Sequence, residues 1–192
     1  MRSASRRSFL SSIFDRPVVD EDVEQHTAKR FPLLTLSPDP MKQSELQTYF
    51  TPDLFIPELK ASTKDGVLKE MAAWLESRKK IFRTALVYDL LHKREALGST
   101  GIGGGIAIPH CRTIAVEKLT VLCALKHGGV DFGAPDKKQV KVFFMVVAPP
   151  HDVTYLVFLG KLVEAVNDKL LKRGLFEVKS FEEFINLIAG EA

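Results

Sequence analysis

The sequence predicts an α/β fold: a mixed β-sheet sandwiched by α-helices, in a single domain with an N-terminal extension. Three observations carry that expectation. From Glu45 onward, segments with helical apolar spacing alternate with short β-rich runs, the pattern that layers helices on one sheet. One run, Val140 to Ala148, is almost wholly apolar, as a central strand covered on both faces has to be. Residues 1–43 break the pattern with Pro17, Pro32, Pro38 and Pro40, the acidic cluster Asp20-Glu21-Asp22-Val23-Glu24 and few periodic apolar residues. That composition suits an extended or disordered arm, which leaves residues 44–192 for the folded domain.

The elements follow in order. Ser62-Thr63-Lys64-Asp65 reads as a helix start with Ser62 as cap and an acid three residues on. Leu68, Met71, Ala72 and Leu75 then trace a buried stripe. Phe82 to Ala96 predicts a second helix, with Leu86 and Leu90 on one face and Gly98 just past its end. Ile106-Ala107-Ile108 is a short strand halted by Pro109. Leu119 to Leu125 and Val140 to Ala148 are strands, separated by turn signals at Gly128-Gly129 and Gly133-Ala134-Pro135-Asp136. Leu156, Leu159, Gly160, Val163 and Asn167 trace a third helix. A last one starts at the capping box Ser180-Phe181-Glu182-Glu183 and buries Phe184, Leu187 and Ile188.

Composition bounds the function. With 192 residues, 45% of them hydrophobic, the chain can bury a core without disulfides or metals. Its longest apolar run, Val142 to Pro150, falls well short of the roughly 20 residues a membrane helix needs. A net charge of +3 is too small to argue for nucleic acid. Cys111 and Cys123 read as reduced thiols, and no zinc-ligand spacing accompanies them. Ser5-Arg6-Arg7-Ser8-Phe9-Leu10 has the start of a twin-arginine signal, but Ser11-Ser12-Ile13-Phe14-Asp15-Arg16-Pro17 lacks the apolar stretch that should follow. A cytoplasmic protein is expected.

The chemistry concentrates after the second helix. Five of the twelve glycines lie in Gly98-Ser99-Thr100-Gly101-Ile102-Gly103-Gly104-Gly105, a density that lets backbone approach a ligand and turn N–H groups toward it. No Lys-Ser/Thr follows, so this is not a Walker loop. Ile106 occupies the place of the third glycine in a dinucleotide fingerprint. The loop runs into Ile106-Ala107-Ile108-Pro109-His110, which places a histidine where a buried strand ends. Arg94 closes the preceding helix, and His151 follows Pro149-Pro150 at another strand-to-helix junction. Strand ends of one sheet converge on a shared crevice, so His110 and His151 are expected to meet. His92, near a helix C-terminus, His127, in a turn, and His26, in the arm, receive no role.

The run from Arg94 through the glycines to Pro109-His110 resembles the signature of enzyme IIA domains of bacterial phosphotransferase systems, fructose/mannitol class, and is most similar to their nitrogen-regulatory branch. Val130-Asp131-Phe132-Gly133, the strand ending Val147-Ala148-Pro149-Pro150, and His151 heading a helix resemble the same family in order and spacing. The resemblance covers roughly Glu45 to Ala192 and implies a mixed sheet between helices. It further implies that His110 accepts a phosphoryl group from an HPr-type phosphocarrier, with His151 and Arg94 beside it. A neutral imidazole is a competent nucleophile near pH 7, and phosphoryl transfer asks mainly for placement and charge neutralisation. Arg94, His151 and the loop N–H groups around Gly103, Gly104 and Gly105 are candidates for the latter, and Ser99 and Thr100 for added hydroxyl donors. Ser99 and Thr100 equally suit capping or turn-forming roles. No metal or cofactor is required.

Two departures stand out against the family pattern: Gly104 where many relatives carry asparagine, and Cys111 where they carry glycine. An exposed Cys111 thiol would make the relay sensitive to oxidation, and a buried one would be inert. The expected function is a histidine phosphocarrier with a regulatory output through a protein target that the sequence does not identify. Delivery of phosphate to a separate IIB for sugar uptake, a binding module whose His110 is never phosphorylated, and a metal hydrolase using His110, Cys111 and His151 are the alternatives.

Overall fold

The computed structural model describes residues 43–190; the expected arm lies outside the described residues apart from Gln43. A 3-10 segment at Gln43–Tyr49 and a second at Pro52–Leu54 lead into the sheet. Its strands are β1 (Phe55–Ile56), β2 (Gly101–Gly103), β3 (Ile106–Ala107), β4 (His110–Arg112), β5 (Thr120–Val130) and β6 (Val140–Ala148). They lie in the order β1-β5-β6-β3-β2, with β4 also paired to β6. Pairing is mixed: β6 runs antiparallel to β5 and parallel to β3 and β4. The helices are α1 (Lys64–Ser77), α2 (Thr84–Ala96), α3 (Thr154–Asn167), α4 (Lys169–Leu175) and α5 (Phe181–Ala189).

The apolar run of β6 has the double covering its composition demands. Phe143, Met145 and Val147 pack into the core beneath α1 and α2, while Val142, Phe144, Val146 and Ala148 pack beneath α3, α4 and α5. Period-two alternation sends successive side chains to opposite faces, so every position of the strand's centre is buried. Phe143 and Phe144 are fully inaccessible, and truncating either to alanine would cost about 3–5 kcal/mol. Helix α5 is capped by Ser180, whose side chain accepts from the Glu183 N–H, as the capping box predicts.

Three expectations are corrected in detail. Thr63, one residue after Ser62, caps α1, and its side chain accepts from the Gly66 N–H. In α2 the buried stripe is Val87, Leu91 and Glu95, with Leu86 and Leu90 only partly covered. In α3 it is Tyr155, Phe158, Leu162, Ala165 and Val166, and Leu156 is exposed. The buried acid Glu95 hid the true stripe of α2, because an apolar count skips it.

The strand expected to stop at Pro109 resumes beyond it. Ile106 pairs with Val142 and His110 with Val146, the same offset on both sides of the proline. Pro109 has no N–H to give, yet its carbonyl still accepts from Val146 N at 2.9 Å, so the interruption removes one donor and keeps the register. His110 therefore opens β4 on the outer side of β6.

Candidate phosphohistidine site

His110 and Arg112, two residues apart in β4, share the α3 face of the sheet. Cys111 between them joins the core under α1 and α2. The His110 ring packs against Tyr155 of α3, centroids 6.3 Å apart. Its Nδ1 lies 2.6 Å from the Ile108 carbonyl oxygen. A carbonyl only accepts, so Nδ1 carries the proton and donates it. Arg94 Nε donates to His110 Nε2 at 3.1 Å, which requires a lone pair there. Both contacts fix one neutral tautomer, with Nε2 as the free base. Burial lowers the pKa of His110 below the ordinary histidine value; the Arg94 charge adds to this, while the Ile108 contact and Glu95 oppose it. The ring is thus held neutral and nucleophilic at physiological pH. A shallow cleft of about 610 Å³ opens over it, bordered by Leu90, Arg94, Leu97, Arg112 and Tyr155.

Arg94 reaches the ring because α2 packs against β4 and ends two residues beyond it, at Ala96. Its Nη1 also donates to the Gly98 carbonyl at 2.9 Å, which ties the guanidinium to the chain leaving the helix. The neighbouring Glu95 points inward and is 8% exposed. Its carboxylate accepts from the N–H and hydroxyl of Thr100, at 2.9 and 2.5 Å, and from Lys64 Nζ at 3.0 Å. Burial alone would raise its pKa, but these donors outweigh it and the net direction is down. Glu95 is an anchor: it clamps the start of β2 to the end of the helix that carries Arg94.

The other sequence-derived candidates are distributed unevenly. Ser99 and Thr100 lie near the histidine end of the β2–β3 hairpin, but their hydroxyls are committed. Ser99 Oγ donates to the Phe132 carbonyl at 2.8 Å and accepts from Gly101 N, and Thr100 Oγ1 is on Glu95. Gly103, Gly104 and Gly105 form the hairpin tip with φ of +84°, +61° and +81°, backbone that glycine adopts without strain. The five residues after Gly105, Ile106 to His110, run along β6 and span about 16 Å. The hairpin therefore carries these three glycines away from His110, and the Gly104 N–H donates to Asp136 at 2.8 Å. His151 is exposed in the turn before α3, and among the described residues no hydrogen bond or ring contact joins it to His110. Cys111 is 7% exposed, and burial pushes its thiol up to about 12, the inert alternative. His127 lies within β5, not in a turn, and pairs with Glu58.

Sequence reasoning missed Arg112, Tyr155 and the role of Glu95. Arg112 stacks its guanidinium 4.6 Å from the Tyr155 ring centroid and donates to the Pro150 carbonyl at 3.1 Å. The signal for Arg112 was its two-residue spacing from His110, which puts both on one strand face. Tyr155 is signalled only by its place in the first turn after His151. Among the described residues no group of three or more His, Cys, Asp or Glu side chains is arranged to hold a metal ion. No helix among them is long and apolar enough to cross a membrane.

Residues 48–191 match the family model described as "Phosphoenolpyruvate-dependent sugar phosphotransferase system, EIIA 2". The fructose-specific EIIA component of the phosphotransferase system of Haloferax volcanii is 29% identical, over 78% of this chain and 97% of its own. A nitrogen regulatory protein of Bradyrhizobium diazoefficiens is 28% identical, over 72% of this chain and 90% of its own. Among solved structures, nitrogen regulatory protein IIA-Ntr of Neisseria meningitidis superposes with a TM-score of 0.69 at 30% identity. That alignment covers 74% of this chain and 98% of that one.

Proposed function

The chain belongs to the EIIA 2 family of the phosphoenolpyruvate-dependent sugar phosphotransferase system, and from that premise we propose that His110 Nε2 is its phosphoryl acceptor. The observation that supports this most strongly is the fixed tautomer. Ile108 holds the proton on Nδ1 and leaves Nε2 as the nucleophile, facing Arg94 at the border of the open cleft.

In the proposed reaction an HPr-type phosphocarrier presents a phosphohistidine in the cleft. The Nε2 lone pair attacks phosphorus in line while the donor's P–N bond breaks and its electron pair returns to the donor imidazole. Arg94 Nε, which occupies Nε2 at rest, shifts to a phosphoryl oxygen. Arg112, already held on the same face, meets the remaining charge. Nδ1 keeps its proton against Ile108, so the phosphorylated ring is cationic and its P–N bond stays labile. That lability suits a relay.

The proposed output is regulatory, through a protein that reads the phosphorylation state, and the reaction is placed in the cytoplasm. The nitrogen regulatory relatives support this reading. Delivery to a separate IIB is the second reading, favoured by the fructose-specific relative.

The test is transfer from phosphorylated HPr to the purified protein, read by intact mass, with His110→Ala alongside. One phosphate on the wild type and none on the variant is expected. One phosphate on both proteins, or none on the wild type with several HPr-type donors, would refute the assignment.

A further inference from the structure

A second cleft, of about 700 Å³, lies at the other end of the sheet, between the β2–β3 hairpin tip, the approach to β6, and α4. Its size is in the range of small-molecule sites. Lys138, Lys141, Lys169, Lys172 and Arg173 border it, and no salt bridge to any of the five is present among the described residues. Glu177 is the only carboxylate in its lining; Asp136, just outside, is held by the Gly104 and Lys138 N–H groups. Lys169, Lys172 and Arg173 sit three and four residues apart in α4, so they share one helix face. Cations gathered on a concave surface repel one another and raise the local concentration of anions.

The cleft also has an apolar element. The half-buried Phe176 ring lies over Gly105, so close that a β-carbon there would sit 3.0 Å from its Cζ. Gly104 likewise leaves room for the Lys172 amine, which would be 2.9 Å from a β-carbon at that position. The two glycines thus let an aromatic ring and a cation settle side by side on the hairpin tip. The Gln139 amide, also in the lining, adds a donor and an acceptor suited to the edge of a heterocycle.

From this combination we infer that the cleft binds a nucleoside polyphosphate. The phosphates lie among Lys169, Lys172, Arg173 and the two β6-side lysines, and the base lies against Phe176. The site is separate from His110: between the register positions Val142 and Val146, β6 runs about 13 Å. Binding is therefore independent of the phosphohistidine reading.

The experiment is calorimetric titration of the full chain with ATP and, separately, with inorganic tripolyphosphate, magnesium-free and at about 0.15 M salt. ATP is expected to bind more tightly than tripolyphosphate. The Lys169→Glu/Lys172→Glu double variant should weaken ATP about tenfold or more, Phe176→Leu should erase the preference for ATP over tripolyphosphate, and His110→Ala should change nothing. Thermal melts of each variant verify folding. Absence of ATP binding, equal binding of the two probes by the wild type, or an unchanged affinity in the double variant would each overturn the inference.

Discussion

The two ends of β6 use positive charge in opposite ways. At the His110 end, two of the three cations lining the cleft are committed, and the third, Lys93, makes no salt bridge among the described residues. Arg94 binds the ring nitrogen and the Gly98 carbonyl, and Arg112 lies on Tyr155 and the Pro150 carbonyl. At the hairpin-tip end, five cations stand around a cleft with one carboxylate in its lining. In the proposed transfer, Arg94 has only to move from Nε2 to the adjoining phosphoryl oxygen, and Arg112 is already held on the same face, so the reorganisation asked of the site is small. The second arrangement is a field that attracts anions without defining one reacting atom. On the two proposed readings, the contrast separates chemistry from binding within one sheet.

The sharpest way to break the comparison is to remove the nucleophile. His110→Ala is expected to abolish phosphate uptake from phosphorylated HPr, a loss beyond about a thousandfold. The Lys169→Glu/Lys172→Glu variant should retain the transfer rate at physiological salt. Arg94→Ala comes next, with a loss of about a hundredfold in transfer rate and little change in thermal stability, measured by quench-flow and by melting. A comparable loss in the double lysine variant would mean that the two ends act as one site.

Glu95 tests whether the His110 end depends on a buried anchor. Glu95→Gln should lower the unfolding free energy by about 2 kcal/mol in urea titrations, because the amide oxygen can keep both Thr100 bonds only by turning its NH2 group onto Lys64 Nζ, donor against donor and with no charge to neutralise it. The sign of its pH dependence follows from its lowered pKa. Its contribution is complete above the ordinary carboxylate range and is lost as pH falls through the folded value. His110 acts in a higher window. Its folded pKa is also lowered, so the unfolded chain takes up protons first as pH drops through the ordinary histidine range. Stability declines there, and His110→Ala should flatten that part of the curve. The transfer rate should hold its plateau to below the ordinary histidine pKa before falling.

Much of this was legible in the sequence, for reasons that differ by element. The bounds of β6 follow from its nearly unbroken apolar run, because a strand covered on both faces is apolar at successive positions; Lys141, near its start, is the one exposed residue. The start of α5 follows from Ser180 and Glu183, a local exchange that needs no tertiary context. Helix α4 was missed: it begins at Lys169 immediately after α3 ends, with only Asp168, whose side chain accepts from Leu170 N and Leu171 N, to mark the break. The glycine density predicts backbone N–H groups turned toward a ligand, whereas Gly103, Gly104 and Gly105 form a hairpin tip. Their density signals positive φ and does not say which way the chain turns. Arg94 and His110 stand out in the sequence, and the structure brings them into contact; Arg112 and Glu95 do not stand out, because an arginine and a glutamate look like surface residues until the sheet is assembled.

The smallest expected effect belongs to His151, and it is the one that most sharpens the contrast between committed and uncommitted groups. The sequence places it at a strand-to-helix junction, where crevice residues gather, and the chain does put it past the end of β6. It is exposed, however, and the contacts to His110 are made by Arg94, Ile108 and Tyr155. A group that must first be recruited by the incoming phosphate contributes less than one already in place. His151→Ala should therefore slow transfer only a few-fold, well short of the Arg94→Ala loss, in the same quench-flow assay. If the two variants are equally slow, His151 moves onto the phosphoryl group during the reaction and belongs with the committed set.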